Sequence, residues 1–301
     1  MNDTPVTRCG VVAVLGAPNA GKSTLVNQLV GQKVAITSAK AQTTRARMLG
    51  IALHDRTQMI LVDTPGIFAP RRRLDRAMVS AAWEGAEAAD AVLLMVDPVK
   101  QRRHELEPLL EGLATRSERK ILVLNKVDVA KKEPLLALAQ ELASKVDFAE
   151  IYFVSALTGD GVPELKQALA AIMPEGPWHY PEDQVSDASE RLLATEITRE
   201  QLYQQLHEEL PYDSAVRPEL YQHRPDGSLE IHQQIIVTRD NQRAIVLGKG
   251  GSRIKAIGEA ARKELAEVLG LKVHLFLHVK VEENWAESRE IFEEIGLDWV
   301  R

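Results

Sequence analysis

Across the first 173 positions, short apolar runs alternate with stretches whose apolar residues recur every three or four positions. The runs at 9–15, 46–54, 57–62, 90–96, 120–124 and 150–154 have strand length and predict strands. The stretches 22–30, 75–89, 103–117, 132–146 and 161–173 carry the helical spacing. Such alternation predicts an α/β domain, a mainly parallel sheet with helices on both faces. The 46–54 and 57–62 runs lie too close together for a crossover helix, so an antiparallel pair is expected there.

After residue 173 the rhythm changes. Pro174, Pro177 and Pro181 crowd one short stretch, where proline cannot continue a helix and stiffens the chain. Residues 174–186 are therefore read as a linker between a domain at 1–173 and another at 187–301. In the second domain the pattern predicts a long helix at 188–209 and strands at 215–223 and 229–238. Pro225-Asp226-Gly227 is a good turn between those strands. A short helix at 240–247, a helix at 252–269, a strand at 271–281 and a final helix at 283–295 follow. That order is α+β.

The junctions between runs carry the chemistry. Gly16-Ala17-Pro18-Asn19-Ala20-Gly21-Lys22-Ser23 fits GxxxxGK[ST], with a strand before it and a helix after it. Glycines let backbone N–H groups turn inward around phosphate oxygens, and the following helix points its positive end at the same place. Lys22 can reach β- and γ-phosphates, and the Ser23 hydroxyl can hold magnesium. The run ending at Val62 delivers Asp63-Thr64-Pro65-Gly66. Asp63 can hold magnesium through water, and the Gly66 N–H can meet the γ-phosphate. The run ending at Leu124 delivers Asn125-Lys126-Val127-Asp128. The Asp128 carboxylate can accept from N1–H and the exocyclic amine of guanine, a donor pair that adenine lacks. Ser155-Ala156-Leu157, after the last run, can support the base from its other side. Four motifs in this order at strand ends point to a guanine nucleotide site that includes Gly16, Asn19, Ala20, Gly21, Lys22, Ser23 and Thr24. A P-loop kinase for a small metabolite has no need of the Asn125–Asp128 motif and is disfavoured.

Composition narrows the setting. The chain has 301 residues and a net charge of −6, which argues against a simple polyanion binder. Its charges are unevenly spread, however. Residues 217–282 carry 11 basic and 8 acidic side chains, against 2 and 9 in 181–216 and 2 and 6 in 283–301. A local basic surface flanked by acidic segments fits selective binding of nucleic acid. Cys9 is the lone cysteine, so no intrachain disulfide can form, and a reducing, cytoplasmic setting is expected. The longest apolar stretch, near 91–96, is too short to span a membrane, and the amino terminus lacks a signal-peptide pattern.

Within the basic block, Gly248-Lys249-Gly250-Gly251 separates two expected helices. A GXXG turn there lets a phosphodiester backbone approach closely. Arg239, Arg243, Lys249, Arg253 and Lys255 crowd it, with Ser252 at the start of the second helix. The flanking order fits a KH module.

Together these residues resemble the Era family of bacterial GTPases. The motifs that carry the likeness are GAPNAGKS at 16–23, KAQTTR at 40–45, DTPG at 63–66, NKVD at 125–128, SALTGDGV at 155–162 and IVLGKGGSRIKAIG at 245–258. The resemblance implies a P-loop GTPase domain followed by a type II KH domain. It also implies GTP/GDP and Mg2+ as ligands, and a role in maturing the small ribosomal subunit with ribosomal RNA gripped near its 3′ end. Catalysis is expected from Lys22, Thr44, Asp63 and Gly66, and metal ligation from Ser23, Thr44 and Asp63, although spacing alone leaves Thr43 beside Thr44. Ile67 stands where many signalling GTPases have a water-orienting Gln, and isoleucine has no polar atom for that task. Asn19 resembles the Asn that helps hold K+ in potassium-stimulated relatives, and it reads equally as a side chain that tightens the turn. A monomer is expected, and the carboxyl-terminal helix is kept as a candidate for a peripheral membrane contact. The alternative for the second domain is protein docking in place of RNA binding.

Overall fold

The computed structural model describes residues 6–300 except 39, 41, 71, 88, 101–102 and 207–209, and only the backbone of 103 and 104. Two compact units emerge. The first comprises residues up to 35 and 44–187, the second 36–43 and 188 onward.

In the first unit, six strands form one sheet: β1 (Arg8–Gly16), β2 (Met48–His54), β3 (Thr57–Asp63), β4 (Ala91–Val96), β5 (Arg119–Leu124) and β6 (Glu150–Phe153). Their order across the sheet is β2-β3-β1-β4-β5-β6. Only β2 runs antiparallel, against β3, with Ile51 opposite Ile60. The two-residue connection at Asp55 and Arg56 permits nothing else. The helices are α1 (Lys22–Val30), α2 (Arg73–Glu87), α3 (Arg103–Ala114), α4 (Lys132–Ala143) and α5 (Val162–Ile172).

Strands buried on both faces explain the continuous apolar runs. Alternate residues of β1 and β4 point to opposite sides. Val12, Val14, Leu93 and Met95 join one core cluster with Leu25 and Leu165, whereas Ala13, Leu15, Val92 and Leu94 join another with Leu109 and Leu142. The linker segment is held by the β2–β3 hairpin. Gln58 Oε1 accepts from the backbone N–H of His179 and Tyr180 at 2.9 and 3.0 Å, and the Trp178 indole donates to Arg56 O at 3.1 Å.

In the second unit, α6 (Glu190–Gln205) and β7 (Ser214–His223) lead into β8 (Leu229–Val237), α7 (Asp240–Leu247), α8 (Ser252–Leu269) and β9 (Val273–Val281). β7 pairs antiparallel and β9 parallel with the central β8. The long helix ends at Gln205, with Leu206 extended as its C-cap, short of the expected 209, a position outside the described residues. The final helix differs from expectation. A 3₁₀ turn at Trp285–Glu287 precedes α9 (Arg289–Glu294). Ser288 breaks the run by taking an extended conformation as N-cap, its side chain accepting from Ile291 N, a local bond that competes with continuous helix. Among the described residues no helix is long and apolar enough to cross a membrane.

Candidate nucleotide and nucleic-acid sites

The four junctions meet at the carboxyl ends of β1, β3, β5 and β6, and one side chain ties three of them together. The Asn125 amide donates to Ala20 O at 2.8 Å and accepts from Ala156 N at 2.9 Å. A Cβ on Gly21 would lie 2.2 Å from that same amide nitrogen, and Gly21 has φ 100°. Glycine is therefore required twice over, by backbone conformation and by the close approach of Asn125.

Lys126 adds a second tie. Its ammonium donates to Asn19 O at 3.0 Å and to Asp97 Oδ2 at 2.6 Å, and Asp97 Oδ1 accepts from Val99 N and Lys100 N. Asp97 is a residue that sequence reasoning missed. Its signal was available, since it directly follows the β4 apolar run as Asp63 follows that of β3. Asp128 is exposed, and among the described residues its carboxylate has no hydrogen-bond or ion-pair partner. On the other side, Ser155 Oγ accepts from Thr158 N at 3.2 Å, and Leu157 stands 77% exposed.

At the phosphate end, the buried Lys22 ammonium donates to Gly16 O at 3.2 Å and Ala17 O at 3.1 Å. Burial pushes its pKa down to about 8, and the Asp63 carboxylate pulls it back only in part. Three oxygens converge next to it. Ser23 Oγ donates to Asp63 Oδ2 at 2.7 Å, Thr44 Oγ1 lies 2.9 Å from Ser23 Oγ, and Thr44 donates to Asp63 Oδ2 at 3.3 Å. Thr43 is turned elsewhere, its hydroxyl donating to Lys40 O at 2.9 Å. A carboxylate with two hydroxyls is an all-oxygen donor set, the kind magnesium prefers, so these residues fit that ion. Gly66 packs on the cradle, where a Cβ would come within 2.7 Å of Pro18 N. Ile67 is 3% exposed, among the same apolar side chains as Leu15 and Ala17, with its N–H donated to Gly16 O at 3.1 Å. That packing gives the isoleucine a structural purpose and keeps it from solvent.

In the second unit, the GKGG turn links α7 and α8 through three glycines with φ of 70°, 59° and 78° at Gly248, Gly250 and Gly251. They differ in surroundings. A Cβ on Gly248 would strike Arg253 Cβ at 2.8 Å, whereas on Gly250 or Gly251 it would meet nothing within 4 Å. Gly248 is thus needed for the turn, while Gly250 and Gly251 present bare backbone to solvent.

Lys249 and Lys255 are exposed, and Ser252 is the first residue of α8. Arg253 donates to Ile245 O at 3.3 Å, closing the carboxyl end of α7. Arg243 projects from α7, but Arg239 caps its far end, on the order of 12 Å along the axis from Gly248. The structure therefore gathers 248–253 and Lys255 into one locus and leaves Arg239 outside it. Beside the turn, a groove of about 340 Å³ runs between α8 and the free edge of β9, with Ile254, Gly258, Leu275 and Leu277 among its walls. These wall residues were also missed. Their signal was the alternation along β9, which identifies a strand but not what lies over it.

Two family models match: "50S ribosome-binding GTPase" over residues 11–126 and "KH domain" over residues 209–286. The chain is 86% identical over 300 residues to GTPase Era of Erythrobacter litoralis, covering 98% of this chain and 99% of that protein. It is 56% identical to GTPase Era of Bradyrhizobium sp. strain BTAi1, covering 98% and 96%. Among solved structures, one of Aquifex aeolicus Era bound to GDP·AlF4− matches with TM-score 0.91 and 38% identity, covering 96% of this chain and 99% of that one. A structure of Era with MgGDPNP and nucleotides 1506–1542 of 16S ribosomal RNA matches with the same score, identity and coverage.

Proposed function

The chain belongs to the Era family of GTPases and is a GTP hydrolase with a KH domain, and from that premise we propose that it is a switch on ribosomal RNA. In this reading it binds single-stranded RNA near the 3′ end of the small-subunit RNA and acts in maturation of that subunit. GTP hydrolysis resets its affinity. The relative solved with 16S RNA nucleotides 1506–1542 supports the RNA assignment. The observation that carries the nucleotide assignment is the Asn125 amide, bonded to both the phosphate cradle and Ala156.

Roles follow from these neighbourhoods. Gly16, Asn19, Ala20, Gly21, Lys22, Ser23 and Thr24 surround the phosphates, with Lys22 countering charge on the β- and γ-oxygens. Ser23, Thr44 and Asp63 hold Mg2+, which when bound neutralises charge building on the phosphate oxygens. Gly66 offers its N–H to the γ-phosphate. Asp128 reads guanine, Asn125 and Lys126 brace the base pocket, and Ser155, Ala156 and Leu157 cover its other side. Arg243, Gly248, Lys249, Gly250, Gly251, Ser252, Arg253 and Lys255 form the RNA grip, with Arg239 at its margin. Purified protein with Mg2+ should turn over GTP and leave ATP untouched. Equal turnover of both would defeat the assignment of the base pocket.

Hydrolysis should also respond to the monovalent cation. Ile67 is buried and apolar, so it cannot orient water, and Asn19 sits in the cradle with φ 63°. A potassium ion held by Asn19 would supply the positive charge that an arginine finger supplies elsewhere. Turnover should be faster in potassium than in sodium at equal ionic strength. Asn19→Ala should erase the difference and leave nucleotide binding largely intact. Matching rates in the two salts would remove the cation from the account.

A further inference from the structure

Within the first unit, Lys126 has a backbone conformation that its residue type resists. Its φ is 62°, in the left-handed region that a residue bearing a Cβ rarely occupies. The chain on either side is fixed to the sheet ends. Asn125 N donates to Val96 O at 2.9 Å, and Val127 N donates to Val154 O at 3.2 Å. Val129 N then donates back to Lys126 O at 3.1 Å. The bend at Lys126 therefore sets the path of the chain from β5 to Asp128.

Such a bend persists only where its surroundings hold it, and the Lys126 side chain supplies a hold. Its ammonium donates to Asn19 O at 3.0 Å and to Asp97 Oδ2 at 2.6 Å. Asn19 is itself left-handed, with φ 63°, so one ammonium joins a bend in the cradle to a bend in the guanine motif. Asp97 divides its work between two oxygens. Oδ2 takes Lys126, whereas Oδ1 accepts from Val99 N at 2.9 Å and Lys100 N at 3.1 Å and closes the turn after β4. The Asp97 side chain is 5% exposed and that of Lys126 31%, so solvent and salt screen this charge-assisted bond less than a surface pair.

We propose that Asp97 is a positioning residue for the guanine nucleotide site. Through Lys126 it fixes the bend from which Asp128 reaches the base, and it ties that bend to the phosphate cradle at Asn19. The inference rests on the reading of Asn125–Asp128 as the guanine motif, and Asp97 itself touches no nucleotide. The consequence is specific. The effect falls on Asn19 and the base motif, away from the converging oxygens of Ser23, Thr44 and Asp63. GTP and GDP should therefore lose affinity by the same factor, with the magnesium requirement unchanged.

The test uses the full-length chain with Asp97→Asn, Asp97→Ala and Lys126→Met, and with Asp128→Asn as control. It reads the affinities for GTP and GDP, the magnesium concentration for half-maximal GTP turnover, and the melting temperature. Asp97→Asn separates the two oxygens. The amide oxygen still accepts from Val99 and Lys100, whereas the amide nitrogen would set a donor against the Lys126 ammonium. Both nucleotides should bind about tenfold more weakly to Asp97→Asn, the effect of losing one charge-assisted bond. Asp97→Ala loses the turn as well and should melt lower than Asp97→Asn. Combined with Lys126→Met, Asp97→Asn should weaken binding no further, since the group it positions is gone. If Asp97→Asn binds both nucleotides as the parent does while Asp128→Asn does not, the positioning inference is overturned and the guanine reading stands. A loss confined to GTP, or a raised magnesium requirement, overturns it equally. If Asp128→Asn also leaves GTP binding unchanged, the guanine reading falls and takes the inference with it. Should Asp97→Ala fail to fold, Asp97→Asn and Lys126→Met decide alone.

Discussion

Asp128→Asn should bind GTP at least about tenfold more weakly than the unchanged chain, because two charge-assisted hydrogen bonds worth roughly 1.5–3 kcal/mol each are replaced by an amide. The position makes the effect clean. Asn125 and Lys126 are committed to the protein itself, through Ala20, Ala156, Asn19 and Asp97. Asp128 is exposed and unpartnered among the described residues, so its replacement disturbs no bond that holds the fold. Xanthosine triphosphate presents an acceptor where guanine presents its amine, so an amide donor at 128 should raise affinity for that nucleotide. Titration of both nucleotides into both proteins checks the exchange. Equal GTP binding by variant and parent would place base recognition elsewhere.

Gly250→Asp should lose single-stranded RNA binding by on the order of a hundredfold or more, since a carboxylate set against phosphate costs several kcal/mol. Its fold should survive. At φ 59° an aspartate is tolerated better than most side chains, and its Cβ meets nothing within 4 Å. Steric exclusion and charge then act on the ligand alone. Lys249→Ala should weaken binding more gently and flatten its salt dependence by about one phosphate contact. Filter binding at two salt concentrations separates these effects, with GTP turnover measured on the same samples. The basal turnover of Gly250→Asp should match the parent. Unchanged RNA affinity would make the GKGG segment a simple turn between helices and favour protein docking by this domain.

Much of this was readable from the chain because the informative signals are local. The inner strands β1, β3, β4 and β5 are short apolar runs buried largely on both faces, and three of the motifs directly follow such a run, so Lys22, Asp63 and Asn125 are placed by the sequence alone. What could not be read depends on contacts distant in sequence. Spacing left Thr43 and Thr44 equivalent, and they separate only because one hydroxyl turns to Lys40 O and the other to Asp63. The hydrogen bonds from Arg199 to Thr43 O and from the Tyr203 hydroxyl to Gln42 O join positions 156 and 161 residues apart and leave no periodic trace. The final helix is shorter than its spacing predicts for a related reason. Trp285, Ile291 and Phe292 have helical spacing, but Ser288 capped its own short helix and the Trp285 indole turned to Asp213 O at 3.2 Å. Ile67 was correctly singled out as lacking a polar atom, yet its burial beside Leu15 emerged only from the packing.

The central claim joins a GTP hydrolase to a domain that grips unpaired RNA. Its most direct test is a competition measured by fluorescence anisotropy, with the chain, Mg2+ and a non-hydrolysable GTP analogue held constant. A labelled single strand copying the 3′-terminal segment of 16S ribosomal RNA is displaced either by the same unlabelled strand or by a duplex of equal length. A KH grip reads about four unpaired nucleotides, so the duplex should compete at least about tenfold less well than the single strand. Equal competition by duplex and single strand would contradict the account.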